Sequence, residues 1–353
     1  MRNKTLKYAL LFISGGIALL ASSISGCLPD PYSIGEPDSL FSEYVLVWDL
    51  VDRHYACFFA NENVDWDQVY QILKPEAENL QNRDQLKDIC LELMSSMMDQ
   101  NLILRDSAGT RLDSWSEGDF LNWDLTVWMD YMQEWFQVFH MDLEAYGATV
   151  INIISTEKVG YVYLSDLGNG FNMVEFYSAT NAVADCSGII LDLRMCGESG
   201  FEINAHYASG RFVENLALSY YRAFRVGPGR NDMGELDEVW AHKNGAWQFT
   251  NPIIILTGRF TQGAGEQLVL FLRSQEHVTV IGDTTAGFAN PAVSFNLTEG
   301  WSIEIPSMVT YSLGGTLLMN SGIAPDILIE VSEADFAAGV DPVLDAALEM
   351  VVR

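Results

Sequence analysis

Basic side chains are scarce in this sequence: 19 Lys and Arg stand against 48 Asp and Glu, for a formal net charge of −29. A surface of that sign repels phosphate backbones and anionic headgroups, which excludes nucleic acid and a basic membrane patch as partners. Histidine numbers five (His54, His140, His206, His242 and His277), scattered along the chain rather than clustered as metal ligands are. No acidic run has the spacing of a calcium loop, so neither a metal nor another cofactor is expected. Lysine is absent after Lys243, which matters for the chemistry below. Internal repeats and low-complexity stretches are also lacking. The N-terminal apolar run, Ala9–Ala21, falls short of the ~20 residues a bilayer span needs.

What is present is a hydrophobic content of 49%, enough for a packed core rather than a disordered chain. Arg2, Lys4 and Lys7 precede the apolar run as in an export signal. The segment ends Ile24-Ser25-Gly26-Cys27, similar to a bacterial lipobox, which implies a lipoprotein signal at 1–26 and lipidation of Cys27. The chain is therefore expected to be exported and lipid-anchored in a cell envelope, with 27–38 as tether. Of the remaining cysteines, Cys186 and Cys196 flank a strand too long to be bridged, and Cys57–Cys90 is left open. Cys90 lies on an apolar helical stripe, as a core thiol does.

Helical periodicity begins near Asp38 or Ser39, with Leu40, Tyr44, Val47, Trp48 and Val51 on one face. A short helix at Asp67–Leu73 is expected to stop before Pro75, and a third runs over Arg83–Met98. These make an N-terminal helical subdomain, 39–105. The stretch 106–157 reads as a helical connection, with a Trp- and Tyr-rich helix at Leu121–Phe139 whose aromatic stripe is expected at a core or domain seam. From 158 to 353 the pattern is α/β. Strands are expected at Gly160–Leu164, Gly188–Leu193, Ile253–Leu256 and Val278–Ile281, and helices at Met173–Ala184, Phe201–Phe212 and Ala264–Arg273. Short apolar strands alternating with helices predict a mostly parallel sheet covered on both faces. Val293–Asn296 and Trp301–Ile305 form a hairpin, and Asp341-Pro342 opens a last helix.

The stretch Pro252–Gln267 carries the chemistry. A buried strand delivers a tight turn onto a helix N-terminus, where free N–H groups can hold an oxyanion and where α/β enzymes often mount a nucleophile. The residue at the tip is Gly263, which has no side chain to attack with.

Several motifs, in order, resemble the tail-specific (C-terminal-processing) serine peptidases, in the branch similar to the tricorn core. They are Val64-Asp65-Trp66-Asp67, Gly160–Leu164, Gly188–Arg194 with Met195-Cys196-Gly197, Gly227–Asp232, Val278–Gly287, Gly322–Ile327 and Ala338–Leu344. The resemblance implies a crotonase-like, mixed and mostly parallel α/β core. Residues 106–155 are too short and too helical for the family's PDZ module. The family's Thr-x-Ser-Ala-x-Glu setting here reads Thr261-Gln262-Gly263-Ala264-Gly265-Glu266, so Gly263 replaces the serine. By the same resemblance Asn101 replaces the base histidine and Met319 the supporting glutamate, and the alternative lysine base is excluded because no lysine follows Lys243. No catalytic residue is intact. Backbone N–H groups of Gly197 and Ala264 remain as candidate oxyanion donors. Cys196 is the best substitute nucleophile but lacks a base, with His206 expected on a surface turn; Ser199, Thr261 and Thr284 lack one too. The expectation is a non-catalytic cleft that takes an extended peptide or a protein C-terminus by strand addition. An active serine-type endopeptidase, and a purely structural or assembly protein, are the alternatives. The sequence gives no oligomeric state.

Overall fold

The computed structural model describes residues 37–114, 121–136, 148–152, 159–168, 171–197 and 202–351. Residues 1–26, expected to be an export signal, Cys27 and Ser199 lie outside them, as do residues 137–139 of the expected aromatic helix and the side chains of Trp135 and Phe136.

Three helices open the chain: α1 (Leu40–His54), α2 (Trp66–Ala77) and α3 (Arg83–Ser95). Ser39, Asp65 and Asn82 cap them, each side chain accepting a backbone N–H in the first turn. Contrary to expectation, α2 passes through Pro75. Pro75 sits one turn from the end, and residue 71, whose carbonyl it leaves without a helical donor, is exposed, so that carbonyl is not buried unpaired. Helix α3 ends at Ser95 rather than Met98, because Met98 takes a left-handed φ of 47°.

The next segment is less helical than expected. It holds β1 (Ile103–Arg105), β2 (Arg111–Asp113), α4 (Leu125–Phe136) and β3 (Ala148–Asn152). There follow β4 (Val159–Leu164), α5 (Met173–Thr180), β5 (Gly188–Asp192), α6 (Glu202–Ser209), β6 (Ala217–Phe224), β7 (Asp237–Ala241), β8 (Ile253–Thr257) and α7 (Ala264–Arg273). The chain ends with β9 (Val278–Gly282), β10 (Ala292–Asn296), β11 (Ser302–Pro306), β12 (Met308–Tyr311), β13 (Ile327–Leu328), α8 (Glu333–Ala337) and α9 (Pro342–Val351).

The central sheet has six strands in the order β13-β9-β8-β5-β4-β3, parallel except for the antiparallel pair β3–β4. Alternation along each buried strand sends side chains to two cores. Val162, Ile189, Leu191, Ile253 and Ile255 pack under α5, α6 and α7. Tyr161, Tyr163, Ile190, Ile254 and Leu256 pack against Trp128 and Met132 of α4 and Val343, Leu344 and Ala347 of α9. The aromatic stripe on α4 is thus core. Two antiparallel sheets complete the fold, β12-β6-β7 and β10-β11-β1-β2.

The N-terminal helices do not have a core to themselves. Tyr44, Val51, Trp66, Leu93 and Met94 share one cluster with Ile303, Ile305 and Val309 of β11 and β12. Strand β1 also pairs with β11, Ile103 opposite Glu304. This contact brings residues near 100 to residues near 290–320. Cys57, Cys90, Cys186 and Cys196 are all buried and free, so the open Cys57–Cys90 pairing does not form.

Candidate active-site cleft

Strand β8 lies inside the sheet between β5 and β9, buried along its whole length. Ligands of such sheets bind beyond the carboxyl ends of the strands, and the turn after β8 stands there. The turn is pinned to the loop after β5. Thr261 Oγ1 donates to the Leu193 carbonyl at 2.8 Å and Gln262 N–H to the Cys196 carbonyl at 2.9 Å. At its tip Gly263 takes φ 51° and ψ −115°, a backbone conformation costly to other residues. It is the sharp strand-to-helix geometry on which a nucleophile elbow mounts its serine. A Cβ at Gly263 would meet no atom within 4 Å, so the place for a side chain is open.

The frame around that tip is held by Glu266, fully buried one turn into α7. Its Oε2 accepts N–H groups from Gly263 at 3.2 Å and Phe288 at 2.6 Å; its Oε1 accepts Gly287 N–H at 2.8 Å and Thr285 Oγ1–H at 2.5 Å. Burial pushes the carboxyl up to about 7, against the lowering effect of those four donors. Gly287 carries the connection on. Its carbonyl accepts Asn101 Nδ2–H at 3.2 Å and Asn320 N–H at 3.2 Å.

Gly287 thus touches Asn101 directly and Gly263 through Glu266, while Met319 adjoins it only through its neighbour Asn320. Asn101 is buried, and its N–H and Nδ2–H both reach Asp99 Oδ1 at 2.8 Å. Tyr55 Oη–H donates to Asp99 Oδ2 at 2.8 Å, and the Met319 sulfur stands 3.8 Å from the Tyr55 hydroxyl. Burial raises the Asp99 carboxyl, opposed by its donors from Asn101 and Tyr55. Met319 is buried in the N-terminal helical core and does not line the cleft.

The cleft is a cavity of about 840 Å³ bounded by α6, α7, β7 and β10. Asn101, Gly263 and Ala264 line it together. The N–H of Ala264, first residue of α7, has no acceptor among the described residues, which leaves it available as an oxyanion donor. Gly197 differs from its expected role. Its N–H is engaged by the Ser165 carbonyl at 3.3 Å and it does not line the cavity. A Cβ there would strike the Phe260 ring at 2.3 Å, so glycine is needed at 197 for packing.

The substitute nucleophiles fare no better in this geometry. Cys196 is 1% exposed beneath Gly265, and burial, with Asp166, holds its thiol well above the ordinary range. The Thr261 hydroxyl is committed to Leu193. His206 is not on a surface turn. It lies on α6 and lines the cleft with its ring 5.3 Å from that of Phe271 and 5.6 Å from that of His242. Its pKa is lowered by burial and by His242, with Glu202 opposing.

Sequence reasoning missed Tyr55, the Glu266 clamp and the histidine pair. One signal was available: Gly263, Gln267 and Phe271 recur every four residues, which places them on one helix face. All three line the cavity.

Comparison with known proteins agrees with this architecture. Residues 158–329 match the model of peptidase family S41. The tricorn protease of Thermoplasma volcanium is 26% identical over 198 residues, 55% of this chain but 17% of that protein, so the chain spans a small part of that relative's length. A crystal structure of a Parabacteroides merdae protein, provisionally called a peptidase, superposes with a TM-score of 0.76 at 24% identity, covering 90% of this chain and 98% of that one. The photosystem II D1 C-terminal processing protease gives a TM-score of 0.52 at 14% identity, over 86% and 97% of the two chains.

Proposed function

From a chain that belongs to the tail-specific peptidases through a family S41 core at residues 158–329, we propose a protein that binds extended peptide in the cleft and does not cleave it. One observation carries the reading: Gly263 and Asn101 line the same cavity, at the positions that the family resemblance gives to nucleophile and base. Acyl transfer needs a hydroxyl or thiol within hydrogen-bond reach of a base. Gly263 has neither, and an amide at Asn101 takes no proton at neutral pH. An oxyanion donor at Ala264 alone supplies little turnover once nucleophile and base are lost; in the serine peptidase subtilisin, removing them lowers turnover by a factor of ~10⁶.

The frame supports binding. The cleft lies between two sheet-edge strands, β7 and β10, each with one side unpaired within its sheet. An extended segment can add to such an edge through its backbone and place alternate side chains into the cavity. The C-terminal-processing activity named for one structural neighbour suggests protein C-termini as ligands. The lipobox-like Cys27 further suggests anchoring in a cell envelope.

The test is direct. The purified chain is incubated with a fluorophosphonate probe and, separately, with unstructured casein. Neither labelling nor cleavage is expected, while peptide binding is expected to be lost on filling the cleft with Ala264→Trp. Stoichiometric fluorophosphonate labelling would sink the non-cleaving reading.

A further inference from the structure

The cavity extends well beyond Gly263, along the face of α7 that carries Gln267 and Phe271. Gln267 is 2% exposed, lines the cavity, and its side-chain amide has no hydrogen-bond partner among the described residues. An amide that faces the cavity without a protein partner is open to pairing with a bound polar group. Beside it, His206 Nε2 is also buried and has no hydrogen-bond partner. His242, edge-on to His206, completes the group on the opposite wall.

Resting on the reading of the cleft as a peptide site, we propose that Gln267, His206 and His242 form a subsite for a peptide carboxylate, reaching from Gln267, about 6 Å along α7 from Gly263, to the level of Phe271 beside His206, about 12 Å along it. The chemistry of the three side chains points to an acceptor ligand: one NH₂ group and two imidazoles offer donors to a single volume. The nearest carboxylate does not compete for them. Glu202 is already engaged by Arg222 through two contacts of 2.8 Å and by Tyr220 Oη–H at 2.9 Å. Those contacts engage Arg222 through Nη1 alone and offset its charge, while its Nε is buried without a partner in the same cavity wall. Glu238 stands off at the rim, accepting Trp240 Nε1–H at 3.2 Å.

An extended chain advances about 3.3 Å per residue, so a span of about 12 Å corresponds to three to four residues. A carboxylate at the histidine pair then lays the backbone three to four residues away across Gly263. Two sources present the same chemistry, a chain's C-terminal carboxylate and an Asp or Glu side chain.

The arrangement makes affinity depend on pH. The charged and titratable groups facing His206 are Glu202 and Tyr207 on its own helix, Arg222 and Tyr220 from β6, and Glu238 and His242 from the β7 side; α7 contributes only the uncharged Gln267 and Phe271. A bound carboxylate favours the imidazolium, so binding tightens as pH falls from about 8 through the imidazole range.

The experiment uses the full chain and three randomised pools of N-acetylated pentapeptides: C-terminal acids, C-terminal amides, and amides with Glu fixed at the last position. Binding is followed by titration at pH 5.5 and pH 8, with the His206 and His242 imidazole resonances read by NMR. The acid pool is expected to bind about tenfold more tightly at pH 5.5 than at pH 8, as a charge-assisted pair gained with one proton. The amide pool is expected to show no such change, and His206→Asn and Gln267→Leu to abolish the difference. The Glu pool tells the two carboxylate sources apart. Equal binding of acids and amides at both pH values, which needs no variant, overturns the subsite, as does a preference that survives His206→Asn. If no pool binds, N-acetylglycine separates the two claims. A carboxylate-specific shift of the His206 resonance keeps the subsite and removes the peptide reading; no shift removes both.

Discussion

Gly287 gives its N–H to Glu266 Oε1 at 2.8 Å and takes Asn101 Nδ2–H on its carbonyl at 3.2 Å, so one glycine joins the turn that carries Gly263 to Asn101. The link runs through backbone and the Glu266 carboxylate, so it does not depend on which side chain stands at 263.

The Glu266 carboxyl makes this frame sensitive to pH. Burial raises it from 4.5 to about 7 in the folded chain. The folded state therefore holds its proton more tightly, and the stabilisation is fully present below pH 4.5 and is lost as pH rises through about 7. Glu266→Gln cannot titrate there. The stability of the wild type relative to Glu266→Gln is expected to fall by roughly 3 kcal/mol across that window, the equivalent of the shift. Urea denaturation of both proteins at pH 4.5, 6 and 8 measures it. Parallel curves for the two proteins would show that Glu266 does not titrate on unfolding.

Gly287 itself admits no side chain. Its φ is +84°, and a Cβ would stand 2.7 Å from the Asn320 backbone N and Cα, which cannot rotate away. Gly287→Ala is expected to cost at least about 2 kcal/mol, from strain and from the displaced Asn320 hydrogen bond. Gly109→Ala is the control, with φ +81° but nothing within 4 Å. It is expected to cost about 1 kcal/mol, the conformational part alone. Chemical denaturation of both variants separates the steric contribution.

On the proposed reading of the cleft, restoring chemistry requires two positions. Gly263→Ser has room for its hydroxyl but keeps the strained backbone, at a cost of about 1–3 kcal/mol in stability. Asn101→His supplies the base. Asp99, 2.8 Å from Asn101 Nδ2, can accept an imidazole N–H and orient the ring, so no acid is needed at Met319. Fluorophosphonate labelling is expected in the double variant and not in Asn101→His alone. A folded double variant that stays unlabelled would show that 101 and 263 are not the base and nucleophile positions.

The central strands were legible in the sequence because each is a short apolar run between turn signals, and Ala264–Arg273 because its apolar spacing has a helical period. Strands β6, β7 and β12 were not. Half-buried residues such as Tyr221 and Arg222 break the apolar runs, and the partners that stabilise them are distant, as with Thr310 opposite Arg222. The pairing of Ile103 with Glu304 was invisible for the same reason, so the N-terminal helices read as a separate subdomain. At the site, the motif singled out Gly263 and Asn101, which line one cavity. The histidine pair escaped because His206 and His242 are far apart in the chain and meet only through tertiary packing.

Arg194 closes the motif around Asp192 and offers the largest stability effect. It is fully buried, with Nη2 2.7 Å from Asp192 Oδ2, Nη1 2.8 Å from Asp341 Oδ2 and Nη1 3.0 Å from the Asn122 carbonyl. Asp192 also accepts Tyr161 Oη–H at 2.7 Å, and Tyr161 in turn accepts Trp128 Nε1–H at 2.8 Å. One guanidinium thus neutralises two carboxylates and fastens α4 and the start of α9 to the sheet. Arg194→Met keeps the volume but leaves both carboxylates buried without a counter-charge. Breaking a buried pair in this way costs about 3–5 kcal/mol, and two acids depend on the one cation. The variant is expected to be unfolded or to lose at least that much in urea denaturation, whereas Arg194→Met with Asp192→Asn and Asp341→Asn removes the charges together and recovers most of the loss. A single Arg194→Met that remains as stable as the wild type would mean that the two aspartates are neutral in the folded chain.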